Sequence, residues 1–126
     1  MNLSRAAWVA GSLSGATAVL LGAFGAHALR GMLEEHALAT WHTAVEYQFW
    51  HALALLAVGL VARQRASSTL RVAMFAFIVG EALFCISLYA LALGAPYWIG
   101  AITPVGGVAL IAGWFALAAH AWRDHS

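Results

Sequence analysis

Polar and ionisable side chains interrupt the long apolar stretches of this 126-residue chain, and they are the first candidates for chemistry. Such groups are costly in apolar surroundings, and ionisable residues inside a membrane usually mark a site or a pathway. Imidazole, carboxylate, amide and phenol groups could bind a cation, hydrogen-bond a lipid headgroup or relay protons. The candidate ligand-binding residues are His27, Glu46, Tyr47, Gln48, His51, Ser87, Tyr89 and Thr103, and Glu81 is a separate candidate as an intramembrane acid.

The spacing of these residues predicts which of them share a helical face. Glu81, Cys85 and Tyr89 recur at intervals of four, and Tyr47 and His51 are also four residues apart. Residues at this spacing lie on the same side of an α-helix. Two polar stripes on neighbouring membrane helices are expected to face each other rather than lipid. The pattern therefore predicts a polar interface inside a helical bundle, where Glu81 needs a partner or a bound proton.

Metal binding and catalysis are weaker interpretations of the same residues. Zinc accepts imidazole and carboxylate ligands, but the spacing is not H-E-x-x-H and no three candidates share a helical face. Haem needs two histidines at matched depth, and His27 and His51 are about half a membrane apart at the rise of an α-helix. No catalytic triad order or phosphate loop occurs, so we expect neither enzyme activity nor a cofactor. The low-ranking metal candidates are His27, His42, Glu46 and His51.

The composition indicates that membrane helices hold these residues. Hydrophobic residues make up 63% of the chain and charged residues only 9%, against roughly 25% charged residues in a soluble domain. Soluble folds are excluded by the lack of polar surface, and disorder is excluded by the high hydrophobicity. The net charge of +1 offers no basic surface to nucleic acid, and a single cysteine precludes an internal disulfide.

Four apolar stretches are each long enough to cross ~30 Å of hydrocarbon as an α-helix. We predict one all-α domain, residues 1–126, in which four transmembrane helices form an antiparallel bundle in the lipid bilayer. A short amphipathic segment, residues 30–40, is expected to lie in the membrane interface between the first two helices. The A-x-A at 26–28 also resembles a signal cleavage site, but the preceding apolar run is too long to favour this. The predicted spans are about 6–29, 41–62, 72–93 and 104–122.

The distribution of arginine predicts the orientation of these helices. With four spans, both termini and the second connection lie on one side, which carries five arginines, whereas the other side carries only Arg30. Positive residues are enriched on the cytoplasmic side. We therefore expect a multi-pass membrane protein with both termini in the cytoplasm. The five arginines are Arg5, Arg63, Arg65, Arg71 and Arg123.

Small residues in the first and last helices predict close helix packing. Rows of glycine and alanine let the backbones of two membrane helices approach each other. These rows could pack inside one bundle, which we favour, or could form the interface of a homo-oligomer. The candidate packing residues are Gly11, Gly15, Gly22, Gly25, Gly106, Gly107 and Gly113. Histidines near helix ends, His36, His120 and His125, are expected to be solvated.

A series of short motifs runs through nearly the whole chain. The motifs are Gly22–His27, Glu46–Gln48 followed by His51, Phe84–Tyr89, Thr103–Gly107 and Gly113-Trp114. In this order, the series resembles the YgdD/YwdK-like family of small bacterial inner-membrane proteins, to which a small eukaryotic transmembrane protein is related. The resemblance implies a topology and a location, but the family is a domain of unknown function and implies no reaction.

The chain departs from that family pattern in its third helix. The family motif there is F-S-G-S-L-Y, and this chain has Cys85 and Ile86 at the second and third positions. Glu81 is not part of the motif. A role of Glu81 that is common to the family is therefore not implied by the resemblance.

The depth of the motifs leads to a hypothesis about function. Each motif falls at the outer end or in the outer half of its helix, so we expect the candidates to converge on one periplasm-facing polar pocket for a small ligand, lipid or ion. The alternative is a structural protein whose polar residues are interhelical hydrogen-bond glue. Proton or cation translocation is a lesser alternative. The biochemical function stays unassigned on sequence alone.

Overall fold

The computed structural model describes residues 2–124 of the chain, without the side chain of Asp124. The described residues form four α-helices and one 3₁₀-helix, Tyr97–Ala101, and contain no strand. All four α-helices are long and apolar enough to cross a membrane. The predicted all-α, four-span fold class is therefore confirmed. The helices are α1 (Leu3–His27), α2 (Glu35–Gln64), α3 (Ser68–Ala92) and α4 (Ile102–Asp124).

Side-chain caps fix where three of the helices begin. Asn2 Oδ1 accepts from the backbone N–H of Arg5 at 2.8 Å, and this contact starts α1. Ser67 Oγ accepts from the N–H of Leu70 at 3.0 Å and starts α3 after a connection of only three residues. Such caps satisfy N–H groups that have no partner within the helix. The short α2–α3 connection forces these two helices to pack side by side.

The amphipathic segment between α1 and α2 differs in form from the expectation. It was expected as a separate interfacial helix, but from Glu35 onward it is the beginning of α2. The Glu34 carboxylate accepts from the N–H of Ala37 at 3.1 Å, and this cap starts α2 well before the apolar run at Trp41. Residues 28–34 form turns. The second helix is therefore 30 residues long and carries its polar first turns as an extension.

Helices α2 and α3 form the central pair of the molecule. Helix α1 packs mainly on α2, and helix α4 packs mainly on α3. The largest fully buried side chains, Phe77, Leu55, Leu70 and Val58, belong to the central pair. The outer helices α1 and α4 are much less buried than α2. This arrangement leaves one cleft between α1 and α3, above α2, and a second between α2 and α4, beside α3.

Glycines bring each outer helix against its neighbour. A Cβ atom on Gly11 would lie 2.8 Å from the carbonyl oxygen of Ala52 in α2, and one on Gly106 would collide with the backbone nitrogen of Phe84 in α3. Gly15 and Gly107 leave room for ordinary contacts, at 3.8 and 3.7 Å. At three further glycines, a neighbouring side chain lies where a Cβ atom would come into close contact: Val45 at Gly22, Trp41 at Gly25 and Phe77 at Gly113. The rows of small residues thus pack inside the molecule.

Candidate functional site: two clefts beside the central helix pair

The first cleft, which we call the polar cleft, lies between α1 and α3 and has a volume of about 410 Å³. Gln48 of α2 forms its floor. The Gln48 amide nitrogen donates to the backbone oxygen of Ser14 at 3.0 Å and to Thr17 Oγ1 at 2.7 Å. Its oxygen accepts from the Tyr89 hydroxyl at 2.7 Å. Both amide hydrogens and the amide oxygen are in use, so Gln48 ties α1, α2 and α3 together.

Glu81 lies halfway along α3 in the wall of the polar cleft. Ser14 Oγ donates to Glu81 Oε1 at 2.7 Å, which links α1 to α3. Among the described residues this is the one hydrogen bond to the carboxyl group. The cleft is also lined by the apolar side chains of Leu13 and Ile86, which are 63% and 64% exposed. Because these residues lie within spans, that exposure is exposure to lipid, and the cleft is accessible from the bilayer.

The second cleft, which we call the aromatic cleft, lies between α2 and α4 and has a volume of about 600 Å³. Trp114 Nε1 donates to His51 Nε2 at 3.0 Å, and His51 Nδ1 lies 2.7 Å from the carbonyl oxygen of Tyr47. A carbonyl oxygen only accepts, so Nδ1 carries the hydrogen and Nε2 is the acceptor. This assignment, made from the hydrogen-bond partners, leaves a neutral imidazole with both nitrogens satisfied.

Ring contacts hold the rest of the aromatic cleft. The ring centroids of Tyr47 and Phe84 are 4.5 Å apart, and those of Phe77 and Trp114 are 5.1 Å apart in an edge-to-face arrangement. His51 lies 5.7 Å from Phe77. Aromatic pairs at these separations are each worth about 0.5–1.5 kcal/mol beyond their buried area. This cleft is therefore a largely aromatic groove in which both nitrogens of His51 are already paired.

Ser87 and Thr103 form a third, smaller contact between α3 and α4. Their hydroxyl oxygens are 2.6 Å apart, and Ser87 Oγ donates to the carbonyl oxygen of Phe84 at 2.9 Å. The Ser87 hydrogen is used by Phe84, so Thr103 is the donor to Ser87. Both hydroxyls are satisfied within the bundle, and this pair acts as an interhelical hydrogen bond rather than as part of either cleft.

The structure distributes the predicted site residues instead of converging them on one pocket. His27 and Glu46 are exposed and line neither cleft. Tyr47 and Gln48 are adjacent on α2, and neighbouring residues on an α-helix point about 100° apart. Tyr47 therefore faces the aromatic cleft, while Gln48 faces the polar cleft. This corrects the expectation of a single pocket.

The weak metal candidates are also separated. Within residues 2–124, no three His, Cys, Asp or Glu side chains lie close enough together to hold a metal ion. His42 and Glu46 are exposed, whereas His51 is buried and bonded to Trp114. The imidazole nitrogens of His51 that a metal would need are both engaged in hydrogen bonds.

Three partners in these networks were not among the predicted site residues. In the polar cleft, Ser14 of α1 donates to Glu81 and Thr17 accepts from Gln48. In the aromatic cleft, Trp114 donates to His51. Ser14 and Thr17 are three residues apart in a largely apolar helix, and this spacing is a signal that could have marked a polar face. His120, expected to be solvated, is only 5% exposed, and His125 lies outside the described residues.

Four apolar helices in an antiparallel arrangement, with polar groups paired across their interfaces, define a small polytopic membrane protein. A protein-family model described as "Protein of unknown function (DUF423)" matches residues 21–107. The chain belongs to this family. The match covers the end of α1, all of α2 and α3, and the beginning of α4, and thus includes the residues of both clefts except Ser14, Thr17 and parts of α1 and α4.

Relatives across nearly the full chain carry the same kind of name. A "UPF0382 membrane protein" of Haemophilus influenzae is 44% identical over 115 residues, which are 91% of this chain and 92% of that protein. "UPF0382 membrane protein YwdK" of Bacillus subtilis is 39% identical over 110 residues, 86% of this chain and 89% of the relative. "UPF0382 membrane protein SAB0533" of Staphylococcus aureus is 40% identical over 109 residues, 86% and 88% of the two chains. No solved structure matches the chain significantly.

Proposed function

We propose that the polar cleft binds an amphipathic, lipid-like ligand whose hydrogen-bond donor contacts the Glu81 carboxyl group. The observation that carries this proposal is the position of Glu81 in a lipid-accessible cleft with a single protein hydrogen bond, from Ser14. Acidic residues inside a membrane are rare. They usually face the bundle interior or a cavity and mark a substrate, ion or proton site. Gln48 and Tyr89 support the cleft as interhelical ties, because their hydrogen bonds are made within the protein.

The spare capacity of Glu81 favours a ligand over a purely structural role. Ser14 donates to Oε1, and Oε2 has no hydrogen bond among the described residues. Since Oε2 is not enclosed by protein atoms either, it borders open space. A volume of about 410 Å³ falls within the ~300–1,000 Å³ range of small-molecule sites. The apolar rim at Leu13 and Ile86 suits a hydrocarbon chain. A hydroxyl or ammonium group attached to such a chain would match both parts of the cleft.

A proton path is supported less well by the same contacts. The hydrogen bonds that follow Glu81 lead through the Ser14 backbone oxygen to the amide of Gln48. An amide does not exchange its proton as a carboxyl or imidazole does, so Gln48 interrupts a relay.

The binding proposal is tested by ligand retention. The protein is purified from its membrane in mild detergent, and retained small molecules and lipids are identified by native mass spectrometry. We expect one amphipathic species at near one copy per chain in the unmodified protein and at least a tenfold loss in Glu81→Gln, because a charge-assisted or strong neutral hydrogen bond of about 1.5–3 kcal/mol is weakened. Glu46→Gln, an acid outside both clefts, is the matched control and should retain the ligand. Equal retention by the two variants, with both folded, would refute the proposal.

We also propose a location, a non-catalytic role and a mode of assembly for the protein. Inner-membrane residence with both termini in the cytoplasm is supported by the five arginines at the end of the bundle that holds the termini. A non-catalytic role is supported by the absence of a catalytic motif in the sequence. A homo-oligomer would use exposed apolar side chains, which all four helices carry, because the glycine rows of α1 and α4 face α2 and α3.

A further inference from the structure

We propose that the end of the bundle formed by the α2–α3 connection and the last turn of α4 binds a phosphate group. The site is a cleft of about 210 Å³ lined by Arg65, Ser67, Ser68, Thr69, His120 and Arg123. It lies at the opposite end of the helices from the loop that joins α1 to α2. It shares no residue with the polar or the aromatic cleft.

A buried imidazole with a missing partner is the first observation. His120 is only 5% exposed, and its Nε2 is the one enclosed side-chain nitrogen or oxygen among the described residues that has no hydrogen-bond partner. Its Nδ1 lies 2.7 Å from Ser67 Oγ. If Ser67 donates to Nδ1, then Nε2 carries a hydrogen with no acceptor. An unsatisfied buried donor is costly, and because His120 lines the cleft, an anionic oxygen bound there would offer it an acceptor.

The start of α3 is the second observation, and it is independent of His120. The Ser67 cap occupies the N–H of Leu70. The N–H groups of Ser68 and Thr69 precede the first intrahelical hydrogen bonds of this 25-residue helix. The N-terminus of a helix attracts anions through such groups and through the helix dipole. The cleft therefore offers backbone donors on the same side as the imidazole.

Arginine supplies the charge for this site. Arg123 Nη1 donates to Thr69 Oγ1 at 2.8 Å, and both residues line the cleft. Arg65 directly follows the last residue of α2 and lines the same space. Guanidinium groups have several donors and pair well with phosphate oxygens. The volume is several times the ~30 Å³ of a water molecule, so a phosphate group fits.

The phosphate could belong to a lipid headgroup or to a free ion, and one titration distinguishes these sources. The full chain, labelled with ¹⁵N-histidine, is placed in neutral detergent, and the His120 signals are assigned with His120→Gln. Inorganic phosphate, short-chain phosphatidylglycerol and the corresponding phosphate-free diacylglycerol are each added. We expect a saturable shift of the His120 side-chain signal with phosphatidylglycerol and none with diacylglycerol. A matching shift with inorganic phosphate identifies the phosphate group alone as sufficient, and its absence identifies a lipid as the ligand.

A matched pair of exposed arginines separates a built site from a merely basic surface. Arg123→Gln removes a lining donor and should weaken binding about tenfold. Arg71→Gln removes an equal charge at the same end from a residue that does not line the cleft, and should change binding by less than about twofold. No shift of His120 with either phosphate compound would overturn the proposal. Equal weakening by the two arginine variants would overturn it as well.

Discussion

The polar and aromatic clefts flank the same central helices but are held together by different forces. Across the polar cleft, Gln48, Glu81 and Tyr89 form four hydrogen bonds that connect three helices. Across the aromatic cleft, Trp114 and His51 share one hydrogen bond, and ring packing supplies the other contacts. The polar cleft leaves a carboxyl oxygen of Glu81 without a protein hydrogen bond, and the aromatic cleft leaves the Tyr47 hydroxyl without one among the described residues. We place the proposed ligand in the polar cleft because its open group is an ionisable carboxyl inside a span.

The comparison also shows how one helix serves two environments. Tyr47 and Gln48 are consecutive in α2, yet they belong to opposite clefts. Apolar side chains gain no hydrophobic driving force against lipid, so packing and hydrogen bonds must hold membrane helices together. Helix α2 uses hydrogen bonds on one side and aromatic packing on the other.

Among substitutions that test this comparison, we expect the largest loss of stability at Gly106. A Cβ atom there would collide with the backbone of Phe84, so Gly106→Ala must push α4 away from α3 and widen the aromatic cleft. We expect a loss of about 1–3 kcal/mol in the free energy of unfolding in mixed micelles. Gly107→Ala is the control, since its Cβ would lie 3.7 Å from the Phe84 ring, an ordinary contact. Similar losses in both variants would mean that this backbone approach does not set the position of α4.

A smaller effect is expected when the tie across the polar cleft is removed. Gln48→Leu eliminates three hydrogen bonds to α1 and α3. Interhelical hydrogen bonds average about 0.6 kcal/mol in membranes, so we expect a loss of about 1–2 kcal/mol in the same unfolding measurement. Trp114→Phe removes the single hydrogen bond of the aromatic cleft while keeping a ring, and should cost less. A larger loss for Trp114→Phe than for Gln48→Leu would reverse the comparison between the two clefts.

The smallest effect distinguishes two tyrosine hydroxyls. Tyr89→Phe removes the donor to Gln48 and should cost about 0.6 kcal/mol. Tyr47 contributes its ring to the aromatic cleft, and within residues 2–124 its hydroxyl makes no hydrogen bond, so Tyr47→Phe should be neutral. A double-mutant cycle of Tyr89→Phe with Gln48→Leu should recover the same energy as a coupling term. A coupling energy of zero would show that the hydroxyl and the amide do not interact.

The sequence was sufficient for the spans and for part of the grouping of polar residues. Long apolar runs determine the four helices, because lipid leaves a backbone few other ways to satisfy its hydrogen bonds. The four-residue spacing correctly groups Glu81 with Cys85 and Tyr89 in one cleft, and Tyr47 with His51 in the other.

What the sequence could not provide was the rotation of α2 relative to its neighbours. The two polar stripes were expected to face each other, but the residue of α2 that meets Tyr89 is Gln48. That rotation is set by contacts between residues distant in sequence. One of them is the close approach of Gly11 in α1 to the backbone of Ala52 in α2. The burial of His120 likewise depends on Ser67, which lies 53 positions away along the chain.

The packing of α1 on α2 has a consequence for how the molecule is made. The hydrogen bonds from Gln48 to Ser14 and Thr17, and the close approach at Gly11, all lie within the first 64 residues. Chains emerge from the ribosome N-terminus first, so the first two helices can associate as a hairpin before α3 is synthesised. The Ser14 hydroxyl is then already positioned when Glu81 enters the bilayer. We therefore expect the acid to meet a donor as it enters the bilayer, so that it need not cross the hydrocarbon unpaired.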